Sequence, residues 1–269
     1  WNLENFFDHI DQGTTESDKE FSSFGTRHWT KRKFQAKCDN IAKSILWLGE
    51  NCGRMPDVVG FAEVENRGVL VHLLTSTLLR KYDYEIVHHD SGDRRGIDVA
   101  LIYRRSSFKL VSQSVIVPEY EGEKLSTRDI LCVSLADADG VCTRFIVNHH
   151  PSKYGGAKES EGRRNAVMIE LKHICDSLSE VSDDPIIAMG DFNDTPISYV
   201  YQQMGKRLKC AWRENGQGIG LSYNQMGFFV RIDHIFHSSD WVSYKTRIDN
   251  KIELSDHYPL HTFLRRKPN

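Results

Sequence analysis

The sequence predicts an α/β fold of two stacked mixed sheets covered by helices. Three observations carry that reading. The middle of the chain holds a run of strand-like segments, amphipathic helical stretches lie between some of the strands, and short apolar runs end at Gly, Glu or Asp, as buried strands do. A chain of 269 residues can make one large domain or two small ones, and buries a substantial core either way. Polar motifs are spread from the first dipeptide to the last strand, which favours a single domain over residues 1–269.

The stretch from His9 to Thr26 is rich in Gly, Thr, Ser and Asp and is expected to be loop. Phe34, Cys38, Ile41, Ile45 and Leu48 step by four and three, predicting a helix from Lys31 to Leu48 with Thr30 as N-cap and Gly49 helping to end it. Asp57 to Ala62 reads as a short buried strand, which puts Glu63 at its carboxyl end; Leu70, Leu73, Leu74 and Leu78 mark a second helix. Strands are expected at Tyr84–His88, Ile97–Tyr103, Phe108–Val117, Ile130–Leu135 and Arg144–Asn148, the last two joined as a hairpin across Asp137–Gly140. A third helix carries Ala166, Val167, Ile169, Leu171, Ile174 and Leu178. The strand Ile186–Met189, a short helix, and strands near Ile232–Phe236, Trp241–Arg247 and Pro259–Leu264 complete the chain.

A formal net charge of -2 and a pI near 6.7 leave no global positive field of the kind that drives non-specific duplex binding. The six cysteines (38, 52, 132, 142, 175 and 210) form no Cys-x-x-Cys pair and are too sparse for a disulfide framework. No apolar run is long enough to span a bilayer, so a soluble domain is expected.

In Pro185-Ile-Ile-Ala-Met-Gly-Asp-Phe-Asn-Asp-Thr-Pro196 an apolar run meets a glycine and then presents Asp191 and Asn193. In extended backbone residues i and i+2 share a face, so both oxygens are expected at the strand's mouth, where a hard cation and a phosphate can sit. The plainer reading is a strand followed by an Asx turn. Further segments carry Asn, Asp, Glu or His: Trp1-Asn-Leu-Glu-Asn5, Val59-Gly-Phe-Ala-Glu-Val64, Val147-Asn-His-His-Pro-Ser-Lys153, Val230-Arg-Ile-Asp-His-Ile-Phe-His-Ser238 and Leu254-Ser-Asp-His-Tyr-Pro259. In this order and from Asn2 to about Leu264, they resemble the endonuclease/exonuclease/phosphatase superfamily. The resemblance implies a four-layer α/β/β/α sandwich, deoxyribonuclease-I-like, with the site at one end. In that family a short strand precedes the Trp-Asn, so an N-terminal strand is expected to be truncated here, and a lost leader could have been an export signal. The compartment is otherwise open, and a monomer is expected.

The resemblance also implies roles. Glu63 and Asp256 are the expected metal carboxylates, with Asn2 and the Asp191/Asn193 pair completing the shell or holding metal-bound water, and Glu65 the residue most easily confused with Glu63. Oxygen ligands favour Mg²⁺ or Mn²⁺ over zinc. His257 is paired with Asp233; for Asp233 the plain alternative is a strand acid bound to Arg231. His149 is the second catalytic histidine, oriented by Asp98, leaving His150 substrate-facing or structural. Arg95, Arg128 and Lys153 are candidate phosphate contacts. The expected chemistry is in-line attack of water on phosphorus, with either Asp191 or His257 taking the proton.

A nuclease-like phosphodiesterase is the first expectation, and a phosphatase or a phospholipid or inositol-phosphate diesterase the second. Tyr154, Trp212, Tyr223, Phe228 and Phe229 are possible rim aromatics for a nucleic-acid substrate. A zinc hydrolase built on His88-His89 and His149-His150 lacks any recognisable zinc spacing. A non-catalytic binding protein on the same fold is a further alternative.

Overall fold

A computed structural model describes residues 1–153, 156, 158–225 and 228–267. The elements run β1 (Asn2–Phe6), α1 (Glu16–Glu20), α2 (Lys31–Cys52), β2 (Val58–Val64), α3 (Arg67–Ser76), a 3-10 turn (Leu78–Lys81), β3 (Tyr84–His88), β4 (Asp98–Arg104), β5 (Lys109–Ile116) and the small hairpin β6 (Glu119–Tyr120) and β7 (Glu123–Lys124). There follow β8 (Ile130–Ala136), β9 (Cys142–His149), α4 (Glu161–Val181), β10 (Ile186–Asp191), α5 (Tyr199–Met204), β11 (Lys209–Cys210), α6 (Ala211–Asn215), β12 (Tyr223–Gln225), β13 (Phe228–Val230), β14 (Asp233–His237), β15 (Trp241–Ile248) and β16 (Leu260–Arg266).

Two large mixed sheets form the centre. One runs β1-β2-β4-β3, with β1 and β2 parallel; the other runs β11-β14-β10-β9-β8-β5, with β9 and β10 parallel. The alternation of side chains along each strand explains the layering. On β4, Ala100 and Ile102 join α2 and α3 in one core, whereas Val99, Leu101 and Tyr103 turn the other way. There they meet Leu131, Val133, Phe145 and Val147 of the second sheet, while Ile146 faces α4 and packs with Val167 and Leu171. The result is the α/β/β/α sandwich.

Several elements differ from expectation for local reasons. α2 runs through Gly49 and stops at Gly53, which holds φ +75° and caps the helix. Gly49 is there for packing: a Cβ on it would lie 2.5 Å from the Met55 sulfur. The stretch 9–26 is not all loop, because the Thr15 hydroxyl caps the five-residue α1 and the buried Asp18 carboxylate accepts from the Gln12 and Thr14 amides. Leu78 lies outside α3, because Thr77 is extended and its hydroxyl both bonds the Leu73 carbonyl and accepts from Leu79 N. The expected hairpin between β8 and β9 forms, with the Asp137 carboxylate accepting from the Asp139 and Val141 amides.

Candidate active site

The ends of β1, β2, β9, β10 and β14 bring their polar residues to one end of the sandwich. Four of these residues lie in left-handed backbone that L side chains rarely adopt: Glu4 (φ +52°), Asn5 (+56°), Glu63 (+61°) and Asn193 (+48°). In β1 the cause is a register shift. Asn2 pairs with Ala62 and Phe6 with Val64, so the extra residues between them bulge toward the site. On β10, Gly190 holds φ +142° with its Cα so close to β9 that a Cβ would strike the Asn148 carbonyl. Only glycine delivers Asp191 there.

Asp191 is the hub. It is almost fully buried; its Oδ1 accepts from Asn193 N (2.8 Å), and its Oδ2 accepts from Asn2 Nδ2 (3.1 Å) and Asn193 Nδ2 (3.3 Å). The Nε2 atoms of His149 and His257 lie 3.5 and 3.6 Å from the same Oδ2. Burial pushes the Asp191 pKa up to about 7, with the neighbouring His257 charge opposing it. His257 Nδ1 bonds Asp233 Oδ2 at 2.7 Å. Burial alone would make His257 a weaker base, but Asp233 and then Asp191 outweigh it and raise its pKa to about 10. Asp233 responds in the opposite sense: burial resists its charge, and His257 holds it below the usual carboxylate range. Asp191, Asp233 and His257 lie close enough to bind an ion together, but the short Nδ1 contact places a proton between His257 and Asp233, so an ion pair is the better account.

A carboxylate group flanks this hub. Asp256 N donates to Glu4 Oε2 (2.9 Å), and Asn5 N donates to Glu63 Oε2 (2.8 Å). Burial first, then the negative charges of Glu4 and Glu63, pushes Asp256 up to about 6. The Tyr223 ring stands edge-on to His257 at 5.0 Å, and the charges of Asp256, Asp191, Glu4 and Glu63 add to burial in raising its hydroxyl pKa. One phenol thus reports the convergence of both groups. Glu4, Glu63 and Asp256 offer carboxylate oxygens whose charges act on one another, the donor chemistry that suits a hard divalent ion, with Arg95 holding both Glu63 oxygens here.

Some expected roles fall elsewhere. Asn2 Oδ1 accepts from Glu4 N (2.9 Å) while its amide holds Asp191, so in this structure Asn2 positions a carboxylate. Asn193 does not share an extended face with Asp191; the chain turns there, and its side chain donates to Asp191 and to the His150 carbonyl. The Asx turn and the site coincide. Asp98 does not orient His149. Its Oδ1 accepts from Ser91 N and Oγ, its Oδ2 lies 3.3 Å from His88 Nε2, and His149 Nδ1 has no partner among the described residues. Burial, then Arg128 and Arg95, holds the His149 pKa well below its ordinary value. His150 is fully buried against Phe192 and likewise held neutral, with a pKa near 3, which makes it structural.

The expected phosphate contacts are also engaged. Arg128 is buried and donates to the His150 carbonyl (2.6 Å) and Asp93 (3.2 Å). Lys153 binds Asp194 (2.7 Å). Arg95 reaches both Glu63 oxygens (3.3 and 3.2 Å) and Asn5 Oδ1 (2.6 Å), and so lies at the carboxylate group itself. Glu65 faces away, accepting from Asp8 N (2.7 Å). Arg231 bonds the Ile219 carbonyl and stacks over Trp212, which frees Asp233 for His257 and takes Trp212 off the rim. Tyr154 lies outside the described residues, as do the side chains of Phe228 and Phe229. Among the described residues His88, Asp90 and Asp98 form one further group able to hold an ion.

Residues that sequence reasoning missed are Glu4, Asn5, Lys37 and Ser255. The Lys37 amine donates to the Glu4 carbonyl at 2.5 Å, and burial lowers its pKa to about 8 against the pull of Glu4, Glu63 and Asp256. Ser255 Oγ donates to the Asn2 carbonyl (2.8 Å) and accepts from His257 N (3.0 Å). Glu4 and Asn5 stood within a quoted motif, but only a bulged strand aims both at the site.

Comparison with known proteins agrees with the architecture. Residues 1–235 match the Endonuclease/Exonuclease/phosphatase family. No curated protein matches the sequence. Among solved structures, a mannosyl-6-phosphatase of Bacteroides thetaiotaomicron superposes with a TM-score of 0.70 at 16% identity, covering 97% of both chains. The human nocturnin catalytic domain with bound sulfate gives 0.64 at 17% identity, over 99% of this chain and 93% of that one. D. rerio TDP2 complexed with a single-strand DNA product gives 0.62 at 16%, over 84% and 92%. At such identities the likeness is one of fold.

Proposed function

We propose that this chain, which belongs to the endonuclease/exonuclease/phosphatase family, is a divalent-metal-dependent phosphodiesterase of nuclease type. The observation that carries the reading is the pairing of a raised Asp191 with an ionised His257 beside the carboxylates Glu4, Glu63 and Asp256. Near neutral pH His257 holds its proton, which disfavours it as the base and leaves Asp191 to accept the proton of the attacking water. As that water's oxygen bonds to phosphorus, the P–O bond in line with it breaks and the leaving oxygen departs with the electron pair, while the imidazolium faces the negative charge that develops on the phosphoryl group. His149, kept neutral, offers an N–H without adding charge. Glu63, Asp256 and Glu4 would hold a divalent ion, which would supply charge neutralisation to the phosphoryl oxygens.

A phosphatase is the second reading, since the structural relatives include the mannosyl-6-phosphatase as well as the DNA-bound TDP2. The deciding experiment is an Mn²⁺-supplemented panel of plasmid DNA, oligoribonucleotide, sphingomyelin and inositol phosphates. Cleavage of a polynucleotide supports the first reading. Release of phosphate from monoesters alone supports the second, and no turnover on any member refutes both.

A further inference from the structure

We propose that Arg95 is a charge latch on the carboxylate group: it closes over Glu63 while no ion is bound, and gives Glu63 up to a divalent ion so that its guanidinium turns to the substrate phosphate. The inference rests on the phosphodiesterase reading and concerns how that same site is loaded.

The contacts put a guanidinium on the oxygens an ion needs. Arg95 Nη1 donates to Glu63 Oε1 (3.3 Å), and Nη2 donates to Glu63 Oε2 (3.2 Å) and to Asn5 Oδ1 (2.6 Å). Asn5 N donates to the same Oε2 at 2.8 Å, so Asn5 grips both partners. Each Glu63 oxygen is therefore engaged, and a hard cation that coordinates the carboxylate has to take lone pairs Arg95 now uses. Charge works in the same direction. A guanidinium left on Glu63 sets a positive charge against a divalent ion at Glu4, Glu63 and Asp256, and the two repel.

The pair is built to open on the arginine side. The Glu63 side chain is 11% exposed and its backbone sits at φ +61°, so the carboxylate is fixed. The Arg95 side chain is 44% exposed, and both its contacts to Glu63 are longer than the roughly 2.7–2.9 Å of a tight charge-assisted bond. A half-exposed pair of that length contributes little to stability and is readily exchanged. The root of the side chain, by contrast, is anchored. Arg95 N donates to Asp93 Oδ1 (2.9 Å), the Thr15 hydroxyl donates to the Arg95 carbonyl (3.2 Å), and Asp93 is itself held by the buried Arg128 (3.2 Å). Gly96 follows at φ +67°, so close to α1 that a Cβ on it would lie 2.9 Å from the Thr15 methyl. A fixed root with a free head lets the guanidinium leave Glu63 and still stay at the site. Glu63 is its ionic partner among the described residues, so the displaced fork is an uncompensated cation beside the phosphoryl group, whose oxygens it can bind in pairs.

Mn²⁺ calorimetry on wild type and Arg95→Gln tests the latch without turnover. Affinity for Mn²⁺ is expected to rise roughly fivefold or more in the variant, because the competing cation is gone. At saturating Mn²⁺, kcat/KM on bis(p-nitrophenyl) phosphate is expected to fall about tenfold or more, mainly through KM. The opposite signs are the signature, since a residue that only held Glu63 in place would lose both metal affinity and rate. Arg95→Lys keeps a charge but not the fork; it is expected to gain about twofold or more in Mn²⁺ affinity and carries the test if Arg95→Gln does not fold. Mn²⁺ affinity equal to or below wild type in the folded variants overturns the latch, and Mn²⁺-dependent turnover in the wild type then leaves the hydrolase reading standing. Tighter Mn²⁺ binding with kcat/KM unchanged overturns the turn toward phosphate. Absence of all turnover while Arg95→Gln still binds Mn²⁺ more tightly refutes the hydrolase reading and leaves the exchange of Arg95 for the ion in place.

Discussion

Replacing Asp233 with Asn keeps the shape of the His257 partner and removes its charge. The Asn oxygen still accepts from Nδ1 across the 2.7 Å contact, so the ring stays where it is. What changes is the proton. Raising His257 from its ordinary 6.5 to about 10 amounts to roughly 5 kcal/mol of preference for imidazolium, and Asp233 is the largest favourable contributor. Without that charge His257 is expected to titrate within the working pH range, and the ring that faces the phosphoryl oxygens becomes neutral. The assay is Mn²⁺-dependent hydrolysis of bis(p-nitrophenyl) phosphate across about pH 6 to 10, following kcat/KM. Wild type is expected to rise through about pH 7, as Asp191 loses its proton, and to fall near 10, as His257 does. In Asp233→Asn the rate at pH 8 should drop by roughly 10² to 10⁴, with the basic limb moved to lower pH. A rate within about threefold of wild type, or a basic limb that stays in place, would refute the reasoning.

Other substitutions probe separate parts of the account. Asp256→Asn removes one member of the crowded carboxylate group; Mn²⁺ affinity by calorimetry should fall about tenfold or more, and unchanged affinity would move the ion elsewhere. Glu65 has its pKa raised from 4.5 to about 8, by burial first and then by Asp8 and Asp18. Because the folded value is the higher one, its contribution is complete below about 4.5 and is lost as pH rises through 8. Denaturant unfolding should therefore show a decline of roughly 2 to 5 kcal/mol across that window that is absent in Glu65→Gln. Gly49→Ala sets a methyl against the Met55 sulfur and should cost about 1 to 3 kcal/mol despite the better helix propensity of alanine, while a rise in Tm would contradict the packing argument.

The layers of the fold were legible because periodicity reports burial directly. The α2 stripe at Phe34, Cys38, Ile41 and Ile45 is buried as its spacing implied, and the short apolar runs ending at Glu63 and Asp191 are β2 and β10. Motif order likewise pointed to the right ends of the strands. Contacts set by backbone deviations were not legible. Nothing in Trp1-Asn-Leu-Glu-Asn5 announces a bulge with two left-handed residues, yet that bulge turns Glu4 and Asn5 toward the site and leaves Asn2 to hold Asp191. The Asp98 misassignment has a similar origin. Its position at the start of β4 is close to the site in sequence logic, but His88 at the end of β3 and Ser91 of the β3–β4 loop reach it first. Arg128 and Lys153 read as phosphate contacts because charge is visible in a sequence, whereas the Asp93 and Asp194 carboxylates that engage them are distant in the chain.

The account depends on Asp191 standing as a proton acceptor beside a bound divalent ion. The direct measurement is p-nitrophenolate release from bis(p-nitrophenyl) phosphate by wild type and Asp191→Asn, each with Mn²⁺ and with EDTA. We expect turnover that requires Mn²⁺ in wild type and a loss of about 10³ or more in Asp191→Asn, with the folded structure retained by circular dichroism. Turnover that survives EDTA, or an Asp191→Asn variant as fast as wild type, would contradict it.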